Sequence, residues 1–227
     1  MSVIKLHNSL GNKKEVFIPI NENHIRIYAC GPTVYNYAHI GNARMAVVCD
    51  LLVRFMKHSY PKVTYVSNIT DIDDKIINAS IETNTPIQDL TKKYEKKYNE
   101  NMLELGVLKP DIQPRATEHI KEMIALITTL IIKKYAYVSE KHVLFNVELY
   151  KNYGLLSGRN KEDQIAGSRI QVANYKKNAG DFVLWKPSTD EQPGWDSPWG
   201  RGRPGWHIEC SAMAEKTLDL PFDIHGG

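Results

Sequence analysis

Apolar and polar positions first alternate regularly at His24-Ile25-Arg26-Ile27-Tyr28-Ala29, a β-branched run that predicts a core strand. Past a turn, Met45, Val48, Cys49, Leu52, Phe55 and Met56 recur at helical spacing, which predicts a helix over residues 41–58. Lys62-Val63-Thr64-Tyr65-Val66 predicts the next strand. Strand, helix and strand in this order make a βαβ unit, and hence a parallel sheet. Upstream, Val3-Ile4 and Val16-Phe17-Ile18 flank the turn-rich Asn8-Ser9-Leu10-Gly11-Asn12, so a hairpin or a loop is expected to lead into the domain.

Asp71-Ile72-Asp73-Asp74 is expected to open a further helix, since carboxylates in a first turn suit the helix dipole. Helical spacing returns over residues 87–105, is interrupted at Pro110 and Pro114, and resumes over 117–134. The texture then changes. Ala136-Tyr137-Val138 and Val143-Leu144-Phe145-Asn146-Val147 predict a small hairpin, a polar lysine-rich stretch runs to Gly180, and Asp181-Phe182-Val183-Leu184-Trp185 predicts a strand. Residues 193–205, dense in Gly, Pro and Trp, predict an ordered irregular loop before a helix over 206–218; the pattern assigns no element to 222–227. The expected fold class is α/β: a Rossmann-like, parallel-sheet nucleotide-binding domain with an insertion. Its first half is expected at 1–115, the insertion at 116–192 and the start of the second half at 193–227.

At 227 residues the chain can bury a substantial core. No apolar run approaches the roughly 18 residues that span a bilayer, and Met1-Ser2-Val3-Ile4-Lys5 does not open a signal peptide. Three cysteines without a secretory signal point to a reducing, cytoplasmic setting rather than a disulfide scaffold. The net charge of +3 permits a polyanionic partner without demanding one.

Chemistry concentrates between the first strand and the first helix, in Cys30-Gly31-Pro32-Thr33-Val34-Tyr35-Asn36-Tyr37-Ala38-His39-Ile40-Gly41-Asn42. A strand, a loop and a helix N-terminus form a common cradle for a nucleotide phosphate. His39 and Asn42 either cap the helix or donate hydrogen bonds to phosphate oxygens. Cys30 and Cys49 each have a plain reading as small buried hydrophobes. Cys210 lies where a glycine-rich loop turns into a helix, a setting that lowers a thiol's pKa and makes it a nucleophile or a metal ligand. Asp71, Asp73 and Asp74 either start a helix or hold magnesium. Lys92, Lys93, Lys96 and Lys97 form a solvated helix face or contact RNA. Trp195, Trp199 and Trp206 fit packing anchors of their loop.

Taken together, these segments resemble the cysteinyl-tRNA synthetases, class I aminoacyl-tRNA synthetases. The resemblance runs through the Cys30 loop, the His39-Ile40-Gly41-Asn42 version of the HIGH signature, and Asn68-Ile69-Thr70-Asp71-Ile72-Asp73-Asp74-Lys75. It continues in Lys109-Pro110-Asp111, Pro114-Arg115-Ala116-Thr117, and Asp181 to Lys186. Most diagnostic are Gly202-Arg203-Pro204-Gly205-Trp206-His207-Ile208-Glu209-Cys210-Ser211-Ala212-Met213 and Phe222-Asp223-Ile224-His225-Gly226-Gly227.

The resemblance implies activation of L-cysteine by ATP, taken with Mg2+, and transfer of the cysteinyl group to the 3′ end of tRNA(Cys). It implies one Zn2+, with Cys30 and Cys210 as two of four ligands, that binds the substrate thiolate. A site built on one required polar contact can reject an analogue lacking it by roughly four to five orders of magnitude. It further implies that Gly31, Thr70, Trp206 and His225 hold the substrate cysteine. His39, Gly41, Asn42 and Gly227 would face ATP, with His39 and Asn42 catalytic. Residues 116–192 would be the connective polypeptide, and the enzyme a cytoplasmic monomer without membrane contact.

Two departures from the family pattern stand out. Asn42 replaces a His, so it can donate a hydrogen bond but carry no positive charge. The chain also ends before the family's remaining two zinc ligands, its KMSKS loop and its anticodon-binding region. The expectation is therefore an N-terminal part, inactive alone, with weak zinc unless His207, Glu209 or His225 substitutes. Competing readings are a cysteine:glucosaminyl-inositol ligase, a non-catalytic synthetase-derived binding module, and a magnesium-dependent nucleotidyltransferase built on Asp71, Asp73 and Asp74.

Overall fold

The computed structural model describes residues 3–158 and 173–227. The chain divides into two compact units, one of residues 1–18 with 124–207 and the other of 19–123 with 208–227. Part of the polar stretch expected before Gly180, residues 159–172, lies outside the described residues.

The second unit holds a parallel sheet. Strand β3 (Ile25–Ala29) lies between β4 (Val63–Ser67) and β9 (Ile224–Gly226), parallel to both. Ile25, Ile27 and Tyr28 of β3 and Val66 of β4 are fully buried, as their β-branched and aromatic character favours. Helix α1 (Ile40–Ser59) connects β3 to β4 and buries Ala46, Val53 and Met56. After β4 come α2 (Asp74–Thr83), α3 (Ile87–Glu104), a turn of 3-10 helix (Ala116–His119) and the start of α4 (Ile120–Ile132). Helix α5 (Trp206–Leu218) then leads to β9.

Acidity at a helix start accounts for Asp73, the N-cap of α2, and for Asp74 in its first turn, but not for Asp71. Asp71 is buried and accepts instead from the backbone N–H and hydroxyl of Thr117, at 3.0 and 2.6 Å. Its role is to fasten the 3-10 turn.

In the first unit, β1 (Lys5–Asn8) and β2 (Lys13–Val16) form a hairpin around Ser9–Asn12, which decides between the hairpin and the loop expected there. A four-stranded antiparallel sheet runs β5 (Ala136–Ser139), β6 (His142–Phe145), β7 (Phe182–Pro187) and β8 (Gly202–Pro204). Val143, Leu144, Leu184 and Trp185 form its core. Strand β8 was not expected. It lies inside the Gly-Pro-Trp loop, where Trp195 and Gly202 exchange backbone hydrogen bonds and Trp199 meets Trp185 at 6.0 Å.

Candidate active site

The second unit gathers its polar side chains where β3 and β4 end. Cys30, next after β3, donates its N–H to the Gly226 carbonyl of β9 at 2.9 Å. Its loop is sewn to the continuation of β4: Thr70 N–H donates to Pro32 O at 3.0 Å, and Val34 N–H to Thr70 O at 3.1 Å. Between them Gly31 passes so close that a Cβ there would fall 1.6 Å from the Asn68 carbonyl oxygen. Only glycine permits this approach.

Asn68 organises the cluster. It is fully buried, and its Oδ1 accepts from Gly31 N–H at 2.9 Å and from the Tyr28 hydroxyl at 3.1 Å, with the Cys210 thiol 3.6 Å away. Its Nδ2 donates to Thr70 Oγ1 at 3.2 Å, and that hydroxyl donates to Glu209 Oε2 at 3.1 Å. The inventory of one side-chain amide is thus almost fully used. Glu209 is 1% exposed, and burial drives its carboxyl well above the ordinary range.

The two thiols diverge. Hydrogen bonding from Cys210 pulls Cys30 down to about 5 against the effect of burial, with His225 adding to the pull. Cys210 is pushed upward, by its bond to Cys30 first and by burial second. This corrects the expectation that the start of α5 lowers Cys210. The thiol lies in the fifth residue of the helix, half-buried, where the hydrogen bond to Cys30 and burial both favour its protonated form. Cys49 follows its plain reading: it is half-buried in α1, 3.9 Å from Met45 Sδ.

His39 and Asn42 form a reciprocal capping box at the start of α1. His39 Nδ1 accepts from Gly41 N–H at 3.0 Å, and Asn42 Oδ1 accepts from His39 N–H at 3.1 Å. An Nδ1 that accepts requires the neutral ring's proton on Nε2. The cap therefore leaves one ring donor and the Asn42 NH2 group unused by it, beside the positive end of a 20-residue helix.

His225 is exposed, with Nε2 3.8 Å from Cys30 Sγ and its ring 5.4 Å from that of Tyr28. Gly227 runs past Cys30, where a Cβ would lie 3.2 Å from the sulfur. The cluster thus joins Cys30, Gly31, Thr70, Cys210, His225 and Gly227. Trp206 belongs to the other compact unit, where it is 63% exposed and lies 5.2 Å from the ring of His207. His207 in turn meets Phe182 edge-on at 5.0 Å. Among the described residues, no three His, Cys, Asp or Glu side chains converge as a metal site. Two thiols are still the soft donors that zinc prefers, and His225 adds an imidazole 3.8 Å from Cys30.

Neither Asn68, within its motif, nor Tyr28, within its strand, carries a functional signal of its own in the sequence. The available signal is one of context, an amide in the buried continuation of a β-branched strand, because such a group must be fully hydrogen-bonded.

A parallel sheet with a capped helix after its first strand, and with polar groups gathered where its strands end, is the arrangement of a nucleotide-binding α/β domain. Two solved structures share the fold. Methionyl-tRNA synthetase of Mycobacterium tuberculosis in complex with methionyl-adenylate has a TM-score of 0.62 at 11% identity, covering 88% of this chain and 47% of that one. A putative arginyl-tRNA synthetase of Campylobacter jejuni has a TM-score of 0.57 at 12% identity, covering 92% and 48%. The chain belongs to the family of tRNA synthetases class I (C) catalytic domains, whose model matches residues 16–227. Among curated relatives, the cysteine–tRNA ligases of Parvibaculum lavamentivorans and Rhodospirillum rubrum are 58% and 55% identical over 224 residues. These alignments cover 99% of this chain but 48% and 49% of the relatives, so the chain spans about half their length.

Proposed function

We infer that the protein carrying this chain is a cysteine–tRNA ligase, which forms cysteinyl-adenylate from L-cysteine and ATP and transfers the cysteinyl group to tRNA(Cys). The observation that carries this reading is the convergence of the Cys30 loop and Cys210, 180 residues apart in sequence, on the buried Asn68, whose Oδ1 meets the Gly31 N–H at 2.9 Å and the Cys210 thiol at 3.6 Å. Sulfur donors at that place suit recognition of a substrate distinguished by its thiol.

In this reading Cys30 and Cys210 hold a zinc ion, which when bound supplies a Lewis acid that selects a thiolate over a hydroxyl. Asn68 positions both sides of that site, since its one oxygen meets the Gly31 N–H and the Cys210 thiol. Gly31 and Thr70 line the amino acid pocket, with His225 a further contributor. His39 Nε2–H, the Asn42 amide and the backbone of Gly41 bind the ATP phosphates, and Gly227 lies along the nucleotide. Adenylation is attack of the substrate carboxylate on the α-phosphate with release of pyrophosphate. Donors fixed in advance at a helix N-terminus oppose the charge that develops on the phosphate oxygens. Mg2+ accompanies ATP, and the enzyme acts as a monomer in the cytoplasm. No helix among the described residues is long and apolar enough to cross a membrane.

The test is cysteine-dependent ATP–pyrophosphate exchange by the whole protein, with tRNA(Cys) charging as the second step. Cys30→Ser is expected to lower exchange by at least about 100-fold and to reduce the zinc retained after dialysis. Full exchange and full metal content in that variant would remove the reading. Condensation of cysteine with an amino sugar in place of tRNA charging would redirect it.

A further inference from the structure

The loop that leads from β3 to α1 carries two tyrosines that the scheme above leaves without a task. Tyr37 is 58% exposed and meets Tyr94 of α3 edge-to-face, with ring centroids 5.3 Å apart and planes at 84°. Such a pair uses an edge of one ring and a face of the other, so at least one face of the exposed Tyr37 ring is left uncovered by Tyr94. Lys93 Nζ lies 5.2 Å from the centroid of Tyr94, and Lys75 Nζ of α2 lies 5.6 Å from that of Tyr35 on the same loop. Among the described residues Asp89, one turn before Lys92 and Lys93 on α3, makes no ion pair, while Glu95 and Glu100 are engaged elsewhere. Glu95 pairs with Arg115 at 2.7 Å, and Glu100 with Lys97 at 2.8 Å and Lys96 at 3.8 Å. Among the described residues, no ion pair takes up Lys92 or Lys93, both exposed on α3.

An exposed aromatic face beside these lysines suits one ligand chemistry, the unpaired bases and phosphates of a single-stranded nucleic acid. An internal purpose for the pair, clamping the loop onto α3, would not need the lysines or leave Tyr37 in solvent. We propose that Tyr37 and Tyr94, with Lys92 and Lys93 beside them, form a platform on which an unpaired nucleotide of the tRNA 3′ end stacks. The platform rests on the ligase reading. Its place two residues before His39 puts it next to the residues assigned to ATP.

The experiment is a binding cycle with the whole protein and two transcripts of tRNA(Cys), one complete and one lacking its unpaired 3′ nucleotides. Tyr37→Ala and Tyr94→Ala are each expected to raise Kd for the complete transcript by about tenfold, within the range for loss of one stacked base. For the shortened transcript they should change Kd by less than about twofold. Tyr37→Phe, which keeps the ring face, should bind as the parent does. Changing Lys92 and Lys93 together to Ala should flatten the salt dependence of binding, by a slope of about 1.4 for two single-strand phosphate contacts. ATP–pyrophosphate exchange should stay within about twofold in Tyr94→Ala, which a loop-clamping role would not allow. Equal loss with both transcripts, or no loss with either, overturns the platform. A parent protein that binds neither transcript fails the ligase reading itself, an outcome distinct from either.

Discussion

At the scale of single residues, Asn68 shows what a sequence conceals. Cys30, Cys210, His39 and Asn42 were legible as candidates because their chemistry is unusual wherever they stand. Asn68 carries ordinary chemistry, and its importance comes from burial beside Gly31, Tyr28 and Thr70, which no spacing reveals. Cys210 was misjudged for a related reason, since the rule for helix starts cannot see a second thiol 180 residues away. Asn68→Ala would leave the Gly31 N–H and the Tyr28 hydroxyl without their acceptor in a dry setting. Each such group costs about 1–3 kcal/mol. The variant is expected to lose roughly 2–5 kcal/mol in urea-induced unfolding, whereas a loss below about 1 kcal/mol would show that water replaces the amide.

At the scale of elements, the periodic runs and the short hairpins held, and only the three-residue strands were missed. The periodicity of α1, α3 and α5 and the β-branched runs of β3 and β4 place those elements within a residue or two of the expectation. Strands β8 and β9 span three residues each, too few to display a period, and both exist through their partners: β7 for one, β3 for the other. The two readings of His39 and Asn42, cap or phosphate donor, turn out to be compatible. Each side chain accepts through one atom to cap the helix and keeps a donor for a ligand. Asn42→Ala should therefore cost about 0.5–2 kcal/mol of stability, the usual range for a lost cap. It should also raise KM for ATP several-fold in pyrophosphate exchange while KM for cysteine stays unchanged. A parallel rise in both constants would mean that the cap supports the whole loop and has no separate part in ATP binding.

At the scale of the whole molecule, the family could be read from the order of local motifs, yet the closure of the second unit could not. That unit is built from two stretches of chain separated by more than eighty residues, and periodicity carries no information about which distant strands meet. The closure centres on Asp223. Its carboxylate accepts from Ile20 N–H at 2.7 Å and Arg26 N–H at 2.8 Å, bridging 203 and 197 residues of sequence. Arg26 returns the tie, donating from its guanidinium to the carbonyls of Leu218 at 2.6 Å and Pro221 at 2.5 Å, which satisfies the C-terminal end of α5. Next along the chain, β9 pairs Tyr28 with His225 and Ala29 with Gly226, and Gly226 accepts the Cys30 N–H. The bond that seats the candidate thiolate is thus the last rung of a ladder whose first fastening is Asp223. Hydrogen bonds to a charged acceptor contribute about 1.5–3 kcal/mol each, less where water reaches them. Asp223→Ala should cost roughly 2–4 kcal/mol, and Asp223→Asn, which keeps one accepting oxygen, about half of that. Hydrogen exchange gives the sharper reading. The amides of Ile20, Arg26 and Cys30 should exchange faster together in Asp223→Ala, while those of β4 paired only with β3 keep their protection. Faster exchange at Ile20 and Arg26 without any change at Cys30 would show that β9 holds its register unaided and that the thiol does not depend on this fastening.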